Sequence, residues 1–228
     1  MTHRAFFFDF DHTLFDSDAS EALAFQHALA DSTAGSELFT TYKSINAALW
    51  GEVEAGLRSP NEVRTLRFAR LVEQASLDLD PTALADSFTN GMQEFGELYP
   101  SAADVVSELR ERGPVVMVTN AISEIQRRRI DRLGIAPLFD AIVISSEVGV
   151  SKPAPGIFDH AFAAIEGLGV GPITPSSTLM VGDSLTSDMA GGVAAGLKTC
   201  WFNPHGKSRS AAVAIDHEIT RLDQLLSL

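Results

Sequence analysis

Five short apolar runs are spaced along the chain, and each has the length of a β-strand. They lie at residues 4–8, 114–119, 141–145, 178–182 and 197–202. Short continuous apolar runs are typical of strands that are buried on both faces of a parallel sheet. From residue 100 onward, the runs alternate with segments whose apolar residues have helical spacing. This alternation predicts an α/β fold with a parallel sheet flanked by helices.

The stretch between the first run and residue 100 has a different pattern. Its apolar residues have helical spacing, as at Phe68, Leu71 and Val72, and it holds no run of the buried-strand type. The spacing predicts about four helices that are inserted after the first strand. We therefore predict two domains, a core formed by residues 1–16 and 92–228 and an all-helical insert at residues 17–91.

The composition narrows the class of protein. The chain has 228 residues, of which 45% are hydrophobic, and this is enough for a sizeable core. No apolar run approaches the roughly 18 residues that span a bilayer, and the N-terminus lacks the pattern of a secretory signal. The single cysteine, Cys200, cannot form an internal disulfide. We expect a soluble, cytoplasmic protein without membrane partners.

The net charge of −13 bears on the partners that the protein can bind. An acidic surface repels a phosphate backbone, so we expect no nucleic acid partner. A small phosphorylated ligand would need concentrated local positive charge. A divalent metal ion is the most compact source of that charge.

Two carboxylates, Asp9 and Asp11, directly follow the first predicted strand. Ligands of open α/β sheets bind at the carboxyl ends of the strands, where this pair falls. Carboxylates this close repel one another, and a bound Mg²⁺ would compensate the repulsion. The alternative is a solvated acidic turn, since Asp is common in turns.

Polar groups also follow the second and third of these runs. Thr119 and Asn120 end the run at 114–119, where a hydroxyl, an amide and the N–H groups of a helix start could cradle a phosphate. The alternative is that one of them only caps the helix. Lys152 follows the run at 141–145 and could balance the charge of carboxylates and phosphoryl oxygens, although most loop lysines are simply exposed.

Two further carboxylates follow the fourth run. Asp183 comes directly after Gly182, which allows close backbone approach. Asp188 falls in the first turn of the next predicted helix, where a carboxylate also favours the helix dipole. Asp183 is therefore the candidate metal ligand, and Asp188 has an alternative structural explanation.

The four groups together resemble the motifs of the haloacid dehalogenase-like (HAD) hydrolase superfamily. The four motifs read DFDHT, VTN, SKP and GDSLTSD in this chain. The resemblance spans the whole chain, because the insert at 17–91 is similar to the helical cap domain that this superfamily places after its first motif. It implies a Rossmann-like core and a magnesium-dependent phosphatase that forms an aspartyl-phosphate intermediate.

The resemblance also implies a role for each matching position. Asp9 would be the nucleophile and a metal ligand, and Asp11 the general acid and base, with its backbone carbonyl on the metal. Lys152 would balance charge on Asp9 and the phosphoryl oxygens. The remaining positions divide into phosphoryl binding by Thr119 and Asn120, metal binding by Asp183, and orientation of the site by Asp188. Ala121 departs from the motif, since many relatives have Gly there.

The substrate is predicted from a closer resemblance. The segments YKSINAALW, ISSEVGVSKP and TCWFN are similar to the pyrimidine 5′-nucleotidase branch, which implies a nucleoside monophosphate as substrate. Tyr42 and Trp50 in the first segment could stack on a base, or could simply pack the cap helices. The alternatives are a broad phosphatase acting on sugar phosphates or phosphoglycolate and a non-catalytic phosphate-binding module.

Two other reactions of the superfamily agree less well with the chain. Dehalogenation needs neither the acid at Asp11 nor a metal, and a phosphomutase needs a site for a phosphorylated sugar in the cap, which we do not identify. The arginines at 127–129 and 132 cluster on one predicted helix, and we interpret them as a solvated face.

Overall fold

The computed structural model describes residues 3–29, 36–169, 171–208 and 213–228. All the strands in this part of the chain belong to one parallel sheet, in the order β3-β2-β1-β4-β5-β6. The strands are β1 (Ala5–Phe8), β2 (Val115–Thr119), β3 (Ala141–Ile144), β4 (Thr178–Gly182), β5 (Lys198–Phe202) and β6 (His217–Ile219). The α/β prediction is confirmed, and the first five strands match the five apolar runs.

Four helices lie between β1 and the helix that precedes β2. They are α1 (Ser17–Ala28), α2 (Ser36–Glu54), α3 (Pro60–Gln74) and α4 (Pro81–Glu94). Their start signals include the capping box that Ser59 and Glu62 form before α3, and the Asp80 side chain, which accepts a hydrogen bond from the Thr82 N–H before α4. The two-domain division stays a prediction, and its insert includes residues 30–35, which lie outside the described residues.

The remaining helices flank the sheet. They are α5 (Ala102–Arg110), α6 (Ser123–Leu133), α7 (Ser145–Val148), α8 (Gly156–Ile165) and α9 (Ala190–Ala194), with a π-helical turn at Leu185–Met189 and a closing 3₁₀ helix at Leu222–Ser227. No helix in the described ranges is long and apolar enough to cross a membrane.

Alternate residues of the strands face opposite layers. Phe6 and Phe8 of β1 pack in the cluster that contains α5, whereas Ala5 and Phe7 pack in the cluster that contains α8. A third cluster joins the four inserted helices to the first turn of α6 through Ile122 and Ile125. The insert is thereby packed over the carboxyl edge of the sheet, where β2 ends.

Candidate active site

The carboxyl ends of the central strands meet at one edge of the sheet, as they must in a parallel arrangement. Asp9 follows β1, Asn120 follows β2, and Asp183 follows β4. A cavity of about 360 Å³ lies between this edge and the inserted helices, and all three side chains line it. The polar groups that the sequence places after separate strands therefore do share one cavity.

Lys152 is one of the cations that line this cavity, and it is almost fully buried, with 1% exposure. Its Nζ lies 2.6 Å from Asp9 Oδ1 and 2.7 Å from Asp188 Oδ1, and it donates to the Val118 carbonyl at 2.7 Å. The short helix α7 separates Lys152 from β3. The alternative of an exposed loop lysine is wrong.

Asn120 holds the backbone of Lys152 from both sides. Its Nδ2 donates to the Lys152 carbonyl at 2.8 Å, and its Oδ1 accepts from the Lys152 N–H at 2.8 Å. The same Nδ2 lies 3.3 Å from Ser187 Oγ. Asn120 thus joins the loop after β2 to the loop that carries the lysine, which fixes where the ammonium points.

The prediction that backbone N–H groups after β2 bind a phosphate is wrong for two of these groups. The Ala121 N–H donates to Ser145 Oγ at 3.1 Å, and the Ser123 N–H donates to Ser146 Oγ at 2.9 Å. Both serines belong to α7, which packs beside α6 and satisfies these donors. They are not open to a phosphate.

Thr119 is fully buried at the end of β2. Its hydroxyl accepts a hydrogen bond from Gln126 Nε2 at 3.3 Å. Of the two residues predicted to bind the phosphoryl group, Asn120 lines the cavity directly, whereas the Thr119 side chain lies behind it.

Asp9, Asp183 and Asp188 offer carboxylate oxygens that all lie within 4.8 Å of one another. Asp188 accepts from the Ser184 N–H at 3.0 Å and packs against Gly182, where an added Cβ would lie 2.2 Å from Asp188 Oδ2. Asp188 is therefore in direct contact with the charged cluster and does more than favour a helix dipole.

Two carboxylates of this cluster, Asp9 and Asp183, resist ionisation. Burial raises the pKa of Asp9 well above its usual range, against the attraction of Lys152 and with the added repulsion of Asp188 and Asp183. Burial and the Asp188 carboxylate raise the pKa of Asp183 to about 6. Clustered hard oxygen donors with unfavourable mutual repulsion suit a divalent cation such as Mg²⁺.

Asp11 has a different environment from Asp9. Its Oδ1 accepts from Arg129 Nη1 at 2.8 Å and from the Ser17 hydroxyl at 2.6 Å. Burial would raise the pKa of this carboxyl, but the Arg129 charge and the Ser17 hydrogen bond outweigh burial, and the pKa is lowered. Repulsion from the neighbouring Asp9 therefore does not keep Asp11 protonated in the free protein, because the Asp11 carboxylate is paired with Arg129.

Arg129 corrects the interpretation of the arginine cluster. Its side chain is 2% exposed, donates to the Met92 carbonyl at 2.7 Å, and lies over the Phe15 ring at 4.6 Å. Arg127 and Arg128 are exposed, as expected of a solvated face. The sequence holds a signal for this difference, since Arg129 follows the buried Ile125 by four residues on the same face of α6.

His12 is a second residue of the site that sequence reasoning missed. It lines the cavity next to Asp11, and its Nδ1 lies 3.5 Å from Asp18 Oδ2. Burial would lower its pKa, but the Asp18 hydrogen bond and the charges of Asp183 and Asp11 raise it to about 9. A positive charge at this position partly offsets the surrounding carboxylates.

The inserted helices form the other wall of the cavity, and one face of α2 supplies much of it. That face has helical spacing and carries Lys43, Asn46, Ala47, Trp50 and Glu54. Tyr42 is fully buried among aromatic rings of the insert, so it packs the helices and cannot stack on a ligand. Trp50 lines the cavity, as a base-stacking role requires.

Comparison with known proteins gives the family. The family described as haloacid dehalogenase-like hydrolase matches residues 3–196. Pyrimidine 5′-nucleotidase YjjG of Escherichia coli is 34% identical over 222 residues, covering 97% of this chain and 96% of the relative. Pyrimidine 5′-nucleotidase PynA of Streptococcus pneumoniae is 32% identical over 231 residues, covering 99% of this chain and 94% of the relative.

A solved structure agrees with these relatives. YfnB of Bacillus subtilis is 32% identical over 225 residues, covering 98% of this chain and 94% of the relative. The crystal structure of YfnB, which is bound to magnesium, has a TM-score of 0.88 and covers 100% of this chain and 98% of that one. The family predicted from the four motifs is confirmed, and this chain belongs to the haloacid dehalogenase-like hydrolases.

Proposed function

We propose that this protein is a magnesium-dependent phosphatase that hydrolyses pyrimidine nucleoside 5′-monophosphates through an aspartyl-phosphate intermediate on Asp9. The observation that carries the phosphatase proposal is the buried ammonium of Lys152 between Asp9 and Asp188, with Asp183 beside them. A phosphate dianion approaching an aspartate nucleophile needs this concentration of positive charge. The cluster also distinguishes the proposal from dehalogenation, which needs no such ligand set.

The first step is attack by an Asp9 oxygen on phosphorus, which forms the aspartyl-phosphate and breaks the ester bond. Lys152 orients the Asp9 carboxylate, because its Nζ lies 2.6 Å from Oδ1 and is itself fixed by the Val118 carbonyl. The same ammonium can balance charge on the phosphoryl oxygens. Positioning and charge neutralisation supply most of the rate enhancement.

Asp11 is the proposed general acid for the leaving oxygen and then the base that activates water. Ser17 and Arg129 hold its carboxylate in one orientation. The free protein favours the ionised form, which is the form that the second step needs. A phosphate dianion entering the cavity adds negative charge and raises the pKa of Asp11, so binding of the substrate favours the protonated form for the first step.

The three clustered carboxylates fit a resident Mg²⁺, with Asp9 and Asp183 as the proposed ligands together with the Asp11 backbone carbonyl, and Asp188 orienting the site. The bound ion would supply positive charge to the phosphoryl oxygens. Because protons compete for Asp183, whose pKa is about 6, magnesium affinity is expected to be weaker at about pH 5.5 than at about pH 7.5. Isothermal titration calorimetry at the two pH values measures this difference without turnover.

The nucleotide proposal is supported by the two nucleotidase relatives and by the wall of the cavity. Beyond the charged cluster, the lining includes the apolar side chains of Trp50, Met92, Ile122 and Ile125. An apolar wall suits the faces of a planar base better than the hydroxyl groups of a sugar phosphate. The alternative is a broad phosphatase for sugar phosphates or phosphoglycolate.

A substrate panel tests the proposal. Thymidine and deoxyuridine monophosphates, ribose 5-phosphate and phosphoglycolate are compared with and without Mg²⁺. We expect the two nucleotides to have the highest kcat/KM, and activity to require the metal. Similar rates for all substrates would favour the broad phosphatase, and no turnover of any would favour a non-catalytic binding module.

Asp9→Asn tests the nucleophile in the same assay. We expect turnover to fall by at least about 1,000-fold, because an amide cannot attack phosphorus. Asp159→Asn, at an exposed position of α8, is the matched control and should keep the wild-type rate. Circular dichroism checks that both variants are folded, and near-normal turnover by Asp9→Asn would refute the assignment.

A further inference from the structure

Arg67 of α3 is a buried cation that forms no ion pair with any of the described residues. Its side chain lines the cavity on the side of the inserted helices and is only 3% exposed. Within the described ranges, no carboxylate lies within 4.0 Å of it, and its Nε and Nη2 have no hydrogen-bond partner. A buried charge with unsatisfied donors is costly, so such a group is a candidate for ligand binding.

The contacts that Arg67 does make are weak ones. Its Nη1 lies 3.4 Å from the Tyr42 hydroxyl and 3.5 Å from Asn46 Oδ1, both at the long end for a hydrogen bond. Its Cζ lies 4.4 Å from the centroid of the Phe88 ring. The ring offsets part of the desolvation and holds the guanidinium in place. Both hydrogens of Nη2 are therefore free donors within the described ranges, and one of them points in the same direction as a hydrogen of Nη1, at the end of the guanidinium.

Asn46 lies beside Arg67 Nη1, and Glu21 orients its amide. The Asn46 Nδ2 donates to Glu21 Oε1 at 2.7 Å, and the Tyr42 hydroxyl donates to the same oxygen at 3.0 Å. Glu21 Oε1 accepts both of these hydrogen bonds, so the amide turns its NH₂ toward Glu21 and its oxygen away. The cavity wall therefore holds a donor, Arg67, next to an acceptor, the Asn46 carbonyl oxygen.

We propose that Arg67 and Asn46 select the nucleoside, which is the leaving group of the reaction, by binding the imide edge of its uracil or thymine base. A ring carbonyl oxygen would accept from Arg67, and the adjacent ring N–H would donate to Asn46 Oδ1. The inference rests on the proposed nucleotidase function and adds the residues that read the base.

Cytosine is the informative competitor for this site. Its ring nitrogen at the equivalent position carries no proton. This nitrogen and the Asn46 oxygen are both hydrogen-bond acceptors, so no hydrogen bond would form between them. A site that leaves buried polar groups unpaired discriminates against the ligand that causes it. The proposal therefore expects thymidine and deoxyuridine monophosphates to be hydrolysed faster than deoxycytidine monophosphate.

Two variants and one matched control test the inference. Arg67→Met keeps the length of the side chain and removes the donors, and the ratio of kcat/KM for thymidine monophosphate to that for ribose 5-phosphate should fall roughly 10- to 100-fold. Asn46→Ala should bring the preference for thymidine over deoxycytidine monophosphate close to one. Arg70→Met, on the same helix with its Nη2 paired to Glu52 at 3.1 Å, should leave both ratios unchanged.

The melting temperature separates ligand binding from a structural role. Replacing a buried, unpaired charge with an apolar side chain of similar length is neutral or stabilising, so Arg67→Met should melt at or above the wild-type temperature. If the wild-type enzyme prefers nucleotides but the variants leave both kcat/KM ratios unchanged, the inference about Arg67 and Asn46 is overturned and the proposed function is not. A lower melting temperature of Arg67→Met with unchanged ratios would show that Arg67 has a structural role only. A wild-type enzyme without any preference for nucleotides over ribose 5-phosphate would overturn the proposed function as well.

Discussion

Replacing Lys152 with Met should destabilise the protein strongly. The ammonium lies 2.6 Å from Asp9 and 2.7 Å from Asp188, and the lysine is 1% exposed, so water cannot take its place without rearrangement. Removing one partner of a buried ion pair costs about 3–5 kcal/mol, because the other charge is left buried and unpaired. Here two carboxylates lose the same partner. We therefore expect a loss in the upper part of this range near neutral pH without metal.

The stability lost in Lys152→Met should depend on pH, and the raised pKa of Asp9 determines the direction. Without the ammonium, the folded-state pKa of Asp9 lies even further above the unfolded value of about 3.9. Such a group penalises folding as pH rises and does not penalise it below the unfolded pKa, where the carboxyl is protonated in both states. The variant should therefore recover stability as pH falls from about 7.5 towards about 5.

Urea denaturation of metal-free protein at several pH values measures both effects. Lys207→Met is the matched control, since Lys207 Nζ lies 3.6 Å from Asp183 and its side chain is 60% exposed. A long pair with an exposed, mobile lysine contributes about 0–1 kcal/mol. A second variant, Lys152→Met with Asp188→Asn, removes one of the stranded charges and should restore part of the loss. A loss below about 1 kcal/mol for Lys152→Met, or no dependence on pH, would refute the buried pairing.

Two further variants probe the surroundings of the site and the fold. Arg129→Met should raise the pKa of Asp11 and move the limb of the pH–rate profile that Asp11 governs to higher pH; an unchanged profile would contradict the pairing. Gly113→Ala places a Cβ 2.2 Å from the Arg4 carbonyl oxygen and should cost about 1–3 kcal/mol by urea denaturation. Gly51→Ala, where nothing lies within 4 Å, should be neutral or stabilising in the same experiment.

The sheet could be predicted from the sequence because its strands are buried on both faces. Such strands are continuous apolar runs, and the five runs coincide with β1 to β5. The sixth strand, His217–Ile219, has no apolar run and exposes Glu218, so nothing in its pattern predicts a strand. It forms by pairing with the edge of β5, which is a tertiary interaction.

The sequence predicts the site residues that directly follow a strand. It does not predict the properties of a site residue that depend on a contact with a distant part of the chain. Asp9 and Asp183 directly follow strands, and the structure brings both into the cavity. The ionisation of Asp11 could not be predicted, because it depends on Arg129, which lies 118 residues away in the chain. Arg67 follows the buried Val63 by four residues, which indicates its face of α3, but its lack of an ion-pair partner among the described residues depends on packing against Phe88 and Tyr42.

The site and the comparisons support a hydrolase in which Asp9 takes the phosphoryl group, and this intermediate can be trapped. Asp11→Asn lacks the base for the hydrolytic step, whereas p-nitrophenyl phosphate has a leaving group that needs no acid. The variant mixed with this substrate and Mg²⁺, then quenched in acid, is digested and analysed by mass spectrometry. We predict that a phosphoryl group accumulates on Asp9. A phosphoryl group on another residue, or continued turnover by Asp9→Asn, would contradict the account.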